Sequence, residues 1–256
     1  MDSSELFTES TDELDSEASN LSSTSQLKHA TGIVNSEPVR IDECYDTSNP
    51  SRGIALIINQ VNFTNMMVRD GSNKDRNDIS TVLKRIGFDV RVYDDPKRKQ
   101  LLSMLDKVAD EDHSQNDCLV IVVMTHGEEN NFLCASDKSY EVNRLWAPFL
   151  GDACPSLIGK PKLFFVQACR GKQMDQGVRL VRMSIDSHQV QSSPESMRYV
   201  IPTMADLLVM YSTYDGHYSW RNTTKGSWFI QSLCTELESS AYGKELLHIL
   251  TAVSRR

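Results

Sequence analysis

The chain lacks any surplus of positive charge: its 256 residues carry 27 Lys and Arg against 35 Asp and Glu, a formal net charge of −8. Nucleic-acid binding calls for a clustered basic face, and the Lys and Arg here are scattered, so no nucleic-acid partner is expected. No stretch approaches the ~18 uninterrupted apolar residues of a membrane span. The first thirty residues are acidic and rich in Ser and Thr, with no apolar centre of the kind an export signal needs. The six cysteines (44, 118, 134, 154, 169, 234) include neither a CxxC pair nor a zinc-type spacing. Reduced thiols, no metal, no membrane and a cytoplasmic location are the expectations that follow.

What is present is a good supply of core. Apolar residues make up 39% of the chain, enough for one large domain or two small ones. Residues 1–50 are polar, acidic and poor in aromatics, a composition that cannot bury enough surface to order itself, and they read as a disordered leader. Structure is expected from GIALIIN (53–59), followed by a helix whose Ile79, Val82, Leu83 and Ile86 recur at helical spacing. Ser72 and Asp75 have the spacing of a capping box at its start. Then come a strand at 88–93 and a second helix striped by Leu101, Leu102, Leu105 and Val108, with Asp95 and Pro96 as cap and first turn. CLVIVVM (118–124), a helix around 141–150, KLFFVQA (162–168), a polar connection (172–200), ADLLVMYS (205–212) and helices near 225–239 and 243–253 complete the pattern. Alternating strands and helices, with strands apolar at every position, predict an α/β fold: a mainly parallel central sheet flanked by helices on both faces. Sites in such sheets form at the carboxyl ends of strands.

Two strand ends carry chemistry. CLVIVVM runs into Thr125-His126-Gly127, and KLFFVQA into Cys169-Arg170-Gly171. A thiol is nucleophilic as thiolate, and a neighbouring imidazole is the simplest group to take its proton. Taken singly, Cys169 reads equally as an apolar filler, His126 as a structural histidine, and Gly127 and Gly171 as ordinary turn residues.

Context separates these readings. QACRG (167–171), with a histidine 43 residues upstream of its cysteine, resembles the local signature of the caspase family. THGEE (125–129), GKPKLFFVQACRG (159–171), MADLLVMYST (204–213) and YSWRNTTKGSWFIQSLC (218–234) resemble caspase segments in caspase order, over roughly residues 53–253. The resemblance implies the caspase three-layer fold and a cysteine endopeptidase that cuts after aspartate, needs no cofactor and acts in apoptosis. It implies Cys169 as nucleophile, His126 as general acid/base, and backbone N–H groups of Gly127 and Cys169 as the oxyanion hole. Arg69, Gln167 and Arg221 match the family's aspartate pocket, a task suited to guanidinium groups because each offers a carboxylate two parallel N–H bonds. VRDGSNKDRND, around Arg69, departs from the usual glycine-flanked pattern. Tyr218 and Trp220 resemble the wall of the preceding subsite, Ser219 and Arg221 supply backbone bonds to an extended peptide, and Asn222 and Trp228 resemble the fourth subsite. Trp228 has a second reading, as core at helical spacing with Leu233 and Leu237.

The resemblance also implies a zymogen divided into a prodomain (1–50), a large subunit (51–175), an activation linker (176–200) and a small subunit (201–256). Asp15, Asp46, Asp175 and Asp186 are the candidate processing sites, each with a plain solvated-aspartate alternative. The short polar leader points to an effector-type enzyme activated by an upstream initiator caspase. Its implied partners are protein substrates, a second caspase chain in a homodimer or heterodimer, and inhibitor-of-apoptosis proteins. The chain stops where the family continues through a further loop and strand, so the apolar strand ADLLVMYS is expected to keep one unpaired edge. That keeps a second reading open: a catalytically weak caspase-like protein that regulates a full-length caspase by pairing or competition.

Overall fold

Three of the expected strands are buried at every position, and they form the centre of a single sheet: β1 (Ile54–Asn59), β3 (Leu119–Met124) and β7 (Lys162–Gln167). The computed structural model describes residues 44–170, 204–214, 216–217 and 219–256. All five strands of the sheet are parallel, in the order β2-β1-β3-β7-β8, with β2 (Asp89–Asp94) and β8 (Leu207–Tyr211) at the edges. Among the described residues β8 pairs with β7 alone. Parallel strands need crossovers, and the crossovers put helices on both faces.

Alternation along the strands divides the core in two. Leu56, Ile58, Ile121, Val123, Phe164 and Val166 face α2 (Arg98–Ala109), while Ile57, Val122 and Phe165 face α1 (Ser72–Arg85), α3 (Trp228–Ser240) and α4 (Leu246–Ser254). A fully buried side chain of this size contributes about 1.5–3 kcal/mol, so both faces of the sheet are anchored along its length. Its carboxyl edge is left for loops. There a meander of β4 (Gly127–Glu128), β5 (Phe132–Cys134) and β6 (Ser139–Glu141) follows β3, and a short hairpin of β9 (Arg221–Asn222) and β10 (Gly226–Ser227) precedes α3.

Local expectations fail in three places. The predicted helix around 141–150 is two 3-10 turns, Val142–Leu145 and Ala147–Phe149, because Pro148 has no N–H to donate and disfavours helical geometry at Ala147. The capping box of Ser72 and Asp75 does not form: Gly71 is the N-cap of α1 and makes no side-chain cap bond. Ser72 Oγ instead donates to Asn59 Oδ1 (2.7 Å) and accepts from Arg69 Nη1 (2.7 Å), and Asp75 accepts the N–H of Ser227. Asp95 likewise leaves its helix. It sits at φ 50° and accepts from the N–H groups of Val61 (2.6 Å) and Asn62 (2.9 Å), so that α2 starts later, at Arg98, with the Lys97 N–H held by Gln100 Oε1 at 3.0 Å. In each pair, long-range partners displaced a local bond of similar strength.

Phe164 is fully buried in β7 and lies edge-on to Trp146 with ring centroids 5.9 Å apart. Phe164→Ala is expected to lower the free energy of unfolding by about 3–5 kcal/mol, measured by urea denaturation.

Candidate active site

β3 and β7 run side by side in register, Met124 opposite Gln167, and the Thr125 N–H continues the ladder to the Gln167 carbonyl at 3.0 Å. His126 and Cys169 therefore leave the sheet at neighbouring points on its carboxyl edge. Gly127 follows at a close approach: a Cβ there would lie 1.8 Å from the Cys169 carbonyl oxygen. No residue but glycine fits without moving the cysteine.

His126 is half-buried, and its Nε2 lies 2.8 Å from the Met67 carbonyl. A carbonyl only accepts, so Nε2 carries the proton and Nδ1 keeps a free lone pair. Phe63 packs against the ring at a tilt of 47°, centroid to centroid 4.7 Å. Burial draws the imidazole pKa below its usual 6.5, the Met67 bond pulls the other way, and the charges of Arg69 and Arg221 lower it further. Neutral imidazole is thus the form present at neutral pH. Cys169 is part-exposed, and its Sγ accepts from the Ser219 N–H at 3.5 Å.

Three polar side chains come from separate parts of the chain to the same edge. Gln167, 2% exposed, donates from Nε2 to Ser219 Oγ (2.8 Å), which donates on to Ser212 Oγ (2.7 Å), while Gln167 Oε1 has no partner among the described residues. Arg69 is 1% exposed, an unusual depth for a guanidinium. Its Nη1 donates to the Gln60 carbonyl (3.0 Å) and to Ser72 Oγ, and its Nε has no partner among the described residues. Burial, and then repulsion from Arg221, pull its pKa down to about 9, which still leaves it charged at neutral pH. Arg221 stands at the start of the β9–β10 hairpin, with Nε on the Asp70 carbonyl at 2.9 Å. Two guanidinium groups and an amide thus stand together beside the cysteine, donors of the kind that pair with a carboxylate.

The other expected residues are placed unevenly. Trp220 and Trp228 are 45% and 61% exposed and stack 6.1 Å apart, so Trp228 faces outward while Leu233 and Leu237 are buried in the core. Its helical-core reading is therefore corrected: β10 ends at Ser227, and Trp228 opens α3 on the solvent side. Asn222 Oδ1 is occupied in closing the hairpin, accepting from the N–H groups of Thr224 (2.9 Å) and Lys225 (2.8 Å). Asp46 is exposed and accepts from the Ser48 N–H at 2.9 Å. Asp15, Asp175, Asp186 and Tyr218 lie outside the described residues. Asn59, Gln60, Ser72 and Ser212 support the site in roles the sequence does not announce: Asn59, Gln60 and Ser212 sit at strand ends, and Ser72, which reads as a helix cap, opens α1 and turns to Asn59 and Arg69.

The caspase domain model matches residues 52–256. The chain belongs to the caspase family. It is 41% identical to Caspase drICE of Drosophila melanogaster over 83% of this chain and 62% of that protein, and 42% identical to Caspase-1 of Spodoptera frugiperda over 83% and 69%. This caspase chain thus spans about two thirds of the length of such relatives. The crystal structure of Caspase-1 from Spodoptera frugiperda superposes with a TM-score of 0.77 at 40% identity, covering 86% of this chain and 82% of that one. The expected fold and family are borne out together.

All six cysteines are free, and burial pushes the thiols of Cys118, Cys134 and Cys234 up to about 12. Brief iodoacetamide treatment of the native caspase chain is therefore expected to label Cys44 and Cys169 and to spare Cys118, Cys134, Cys154 and Cys234, as read by peptide mass mapping.

Proposed function

We propose that the chain is a cysteine endopeptidase that cleaves proteins after aspartate and acts in apoptosis. The observation that carries this reading is the convergence of Arg69, Arg221 and Gln167 beside a part-exposed cysteine whose neighbouring strand offers an imidazole with a free Nδ1. His126 Nδ1 takes the Cys169 proton, and the thiolate attacks the scissile carbonyl. The resulting oxyanion is held by the N–H groups of Gly127 and Cys169, a single donor of this kind contributing about 3 kcal/mol. The imidazolium returns the proton to the leaving amine, the acyl group stays on Sγ as a thioester, and water, deprotonated by His126, releases it. The substrate aspartate is fixed by bidentate bonds from the two guanidinium groups and by the Gln167 amide. Trp220, with Tyr218, walls the next subsite, Ser219 and Arg221 bond the extended backbone, and Trp228 with Asn222 floors the fourth.

The same reading makes the chain a cytoplasmic zymogen with large (51–175) and small (201–256) parts, cut by an initiator caspase after Asp15 or Asp46 in the leader and after Asp175 or Asp186 in the connection 172–200. Asp46 suits such a cut, being exposed in a turn. Pairing with a second caspase chain and capture by inhibitor-of-apoptosis proteins belong to the proposal as well.

Hydrolysis of a fluorogenic tetrapeptide ending in aspartate should far exceed that of the Cys169→Ala variant. Turnover equal to that control, together with a monomeric gel-filtration profile, would instead support the regulatory reading. Arg221→Ala is expected to cost about 2–5 kcal/mol in kcat/KM, because it leaves the substrate carboxylate short of a charged partner. Since His126 must be neutral to act and its pKa is lowered, kcat/KM should hold on acidification until pH falls below 6.5; an acid limb above 6.5 would count against His126 as the base.

A further inference from the structure

Asp75 was expected to cap a helix, and the structure gives it other work. It lies on α1, fully buried, with both carboxylate oxygens 2.9 Å from one N–H, that of Ser227. Ser227 is the strand partner of Arg221 across the β9–β10 hairpin, and its Oγ accepts from the Ile230 N–H (3.3 Å) to cap α3. One carboxylate thus ties the helix that follows Arg69 to the hairpin that carries Arg221. The fit is close: Gly226, at φ 89°, could not bear a Cβ without bringing it within 2.2 Å of Asp75 Oδ1.

We infer that Asp75 is a positioning residue of the aspartate pocket, holding the β9–β10 hairpin so that Arg221 is in place before a substrate arrives. This rests on the peptidase reading above. Two guanidinium groups brought together repel, and Arg221, half-buried and held by the Asp70 carbonyl, is the one with solvent beside it, since Arg69 is buried. The charge of Asp75 favours both cations in place. Among the described residues its hydrogen bonds go to the Ser227 N–H, so its charge acts on the two cations through space and leaves their N–H groups to the substrate carboxylate.

Its protonation gives the inference a signature. The groups that face it are Arg69 from the loop before α1, Arg221 from β9, Ser227 from β10, Cys234 from α3, and Lys74 on its own helix. Burial raises its pKa to about 6, against the pull of Ser227, Arg69 and Arg221. The folded value lies above the unfolded one, so its contribution to stability is complete below the usual 3.8 and is lost as pH rises through about 6. At neutral pH the ionised form therefore lowers stability, the pattern of a group kept for function at a cost to the fold.

The test is Asp75→Asn, which keeps the shape and one acceptor and removes the charge. For the aspartate-ending peptide at pH 7.5, KM should rise roughly tenfold, about 1.4 kcal/mol, with kcat within about threefold and the melting temperature unchanged or higher. In the parent protein 1/KM should fall as pH drops through about 6, whereas in D75N it should stay flat. An unchanged or lower KM, or a melting temperature that falls along with both constants, overturns the inference. If the parent protein turns over no more than Cys169→Ala, the peptidase reading fails by itself. Amide hydrogen exchange then decides: faster exchange over residues 221–228 in D75N upholds Asp75 as the hairpin's anchor, and unchanged exchange removes it.

Discussion

The parallel pairing of β3 with β7 is the constraint on which the rest depends. Six residue pairs in register, continued by the Thr125 bond to Gln167, fix where the two strands end. A slip of one residue would turn every side chain to the other face, exchange the two halves of the core, and aim Gln167 away from the edge where Arg69 and Arg221 wait. The apolar faces enforce the register because Phe164 and Val166 fill one layer while Phe165 fills the other. The site inherits its accuracy from the core.

Around that rail the polar side chains form a supporting shell. Arg69 is held through Ser72 to Asn59, which donates from Nδ2 to Asp94 on the neighbouring strand (2.9 Å), and Asp94 in turn binds Arg76 of α1 (2.7 Å). Gln167, Ser219 and Ser212 make a second chain that ends on the Ala168 carbonyl at 3.3 Å. Buried networks of this kind specify a single arrangement because each unpaired member carries a desolvation cost. Among the described residues of this shell, Gln60 Oε1, Arg69 Nε, Arg76 Nε and Gln167 Oε1 are left without a partner, and of these the Arg69 Nε–H is the donor that stands where the aspartate carboxylate is proposed to bind.

Much of the fold was legible because it rests on periodicity. IALIIN, LVIVVM and KLFFVQ read as interior strands from composition alone, and the stripe of Ile79, Val82 and Leu83 is buried as its spacing implies. The failures fall where local and long-range bonds compete. Ser72, Asp75 and Asp95 are short polar residues able to cap a helix or to bind a distant N–H, and nothing in their neighbours says which partner the fold will bring. Trp228 fails the core reading on helix geometry: five residues before Leu233 and nine before Leu237, it is turned about 140° and about 180° from them around α3, and it meets solvent where they meet the core.

By itself the sequence determined the α/β class, the position of the strands, the membership of the caspase family, and the identity of Cys169 and His126 as the pair to examine, because periodicity and short motifs are local properties. Only the tertiary structure decided that Arg69 is buried beside Arg221, that His126 carries its proton on Nε2, and that Asp75 serves the hairpin instead of its own helix. These facts depend on contacts between residues more than 50 positions apart, such as Asp75 with Ser227 and His126 with Met67. Such contacts exist only once the sheet has closed and its two cores have fixed the register of every strand.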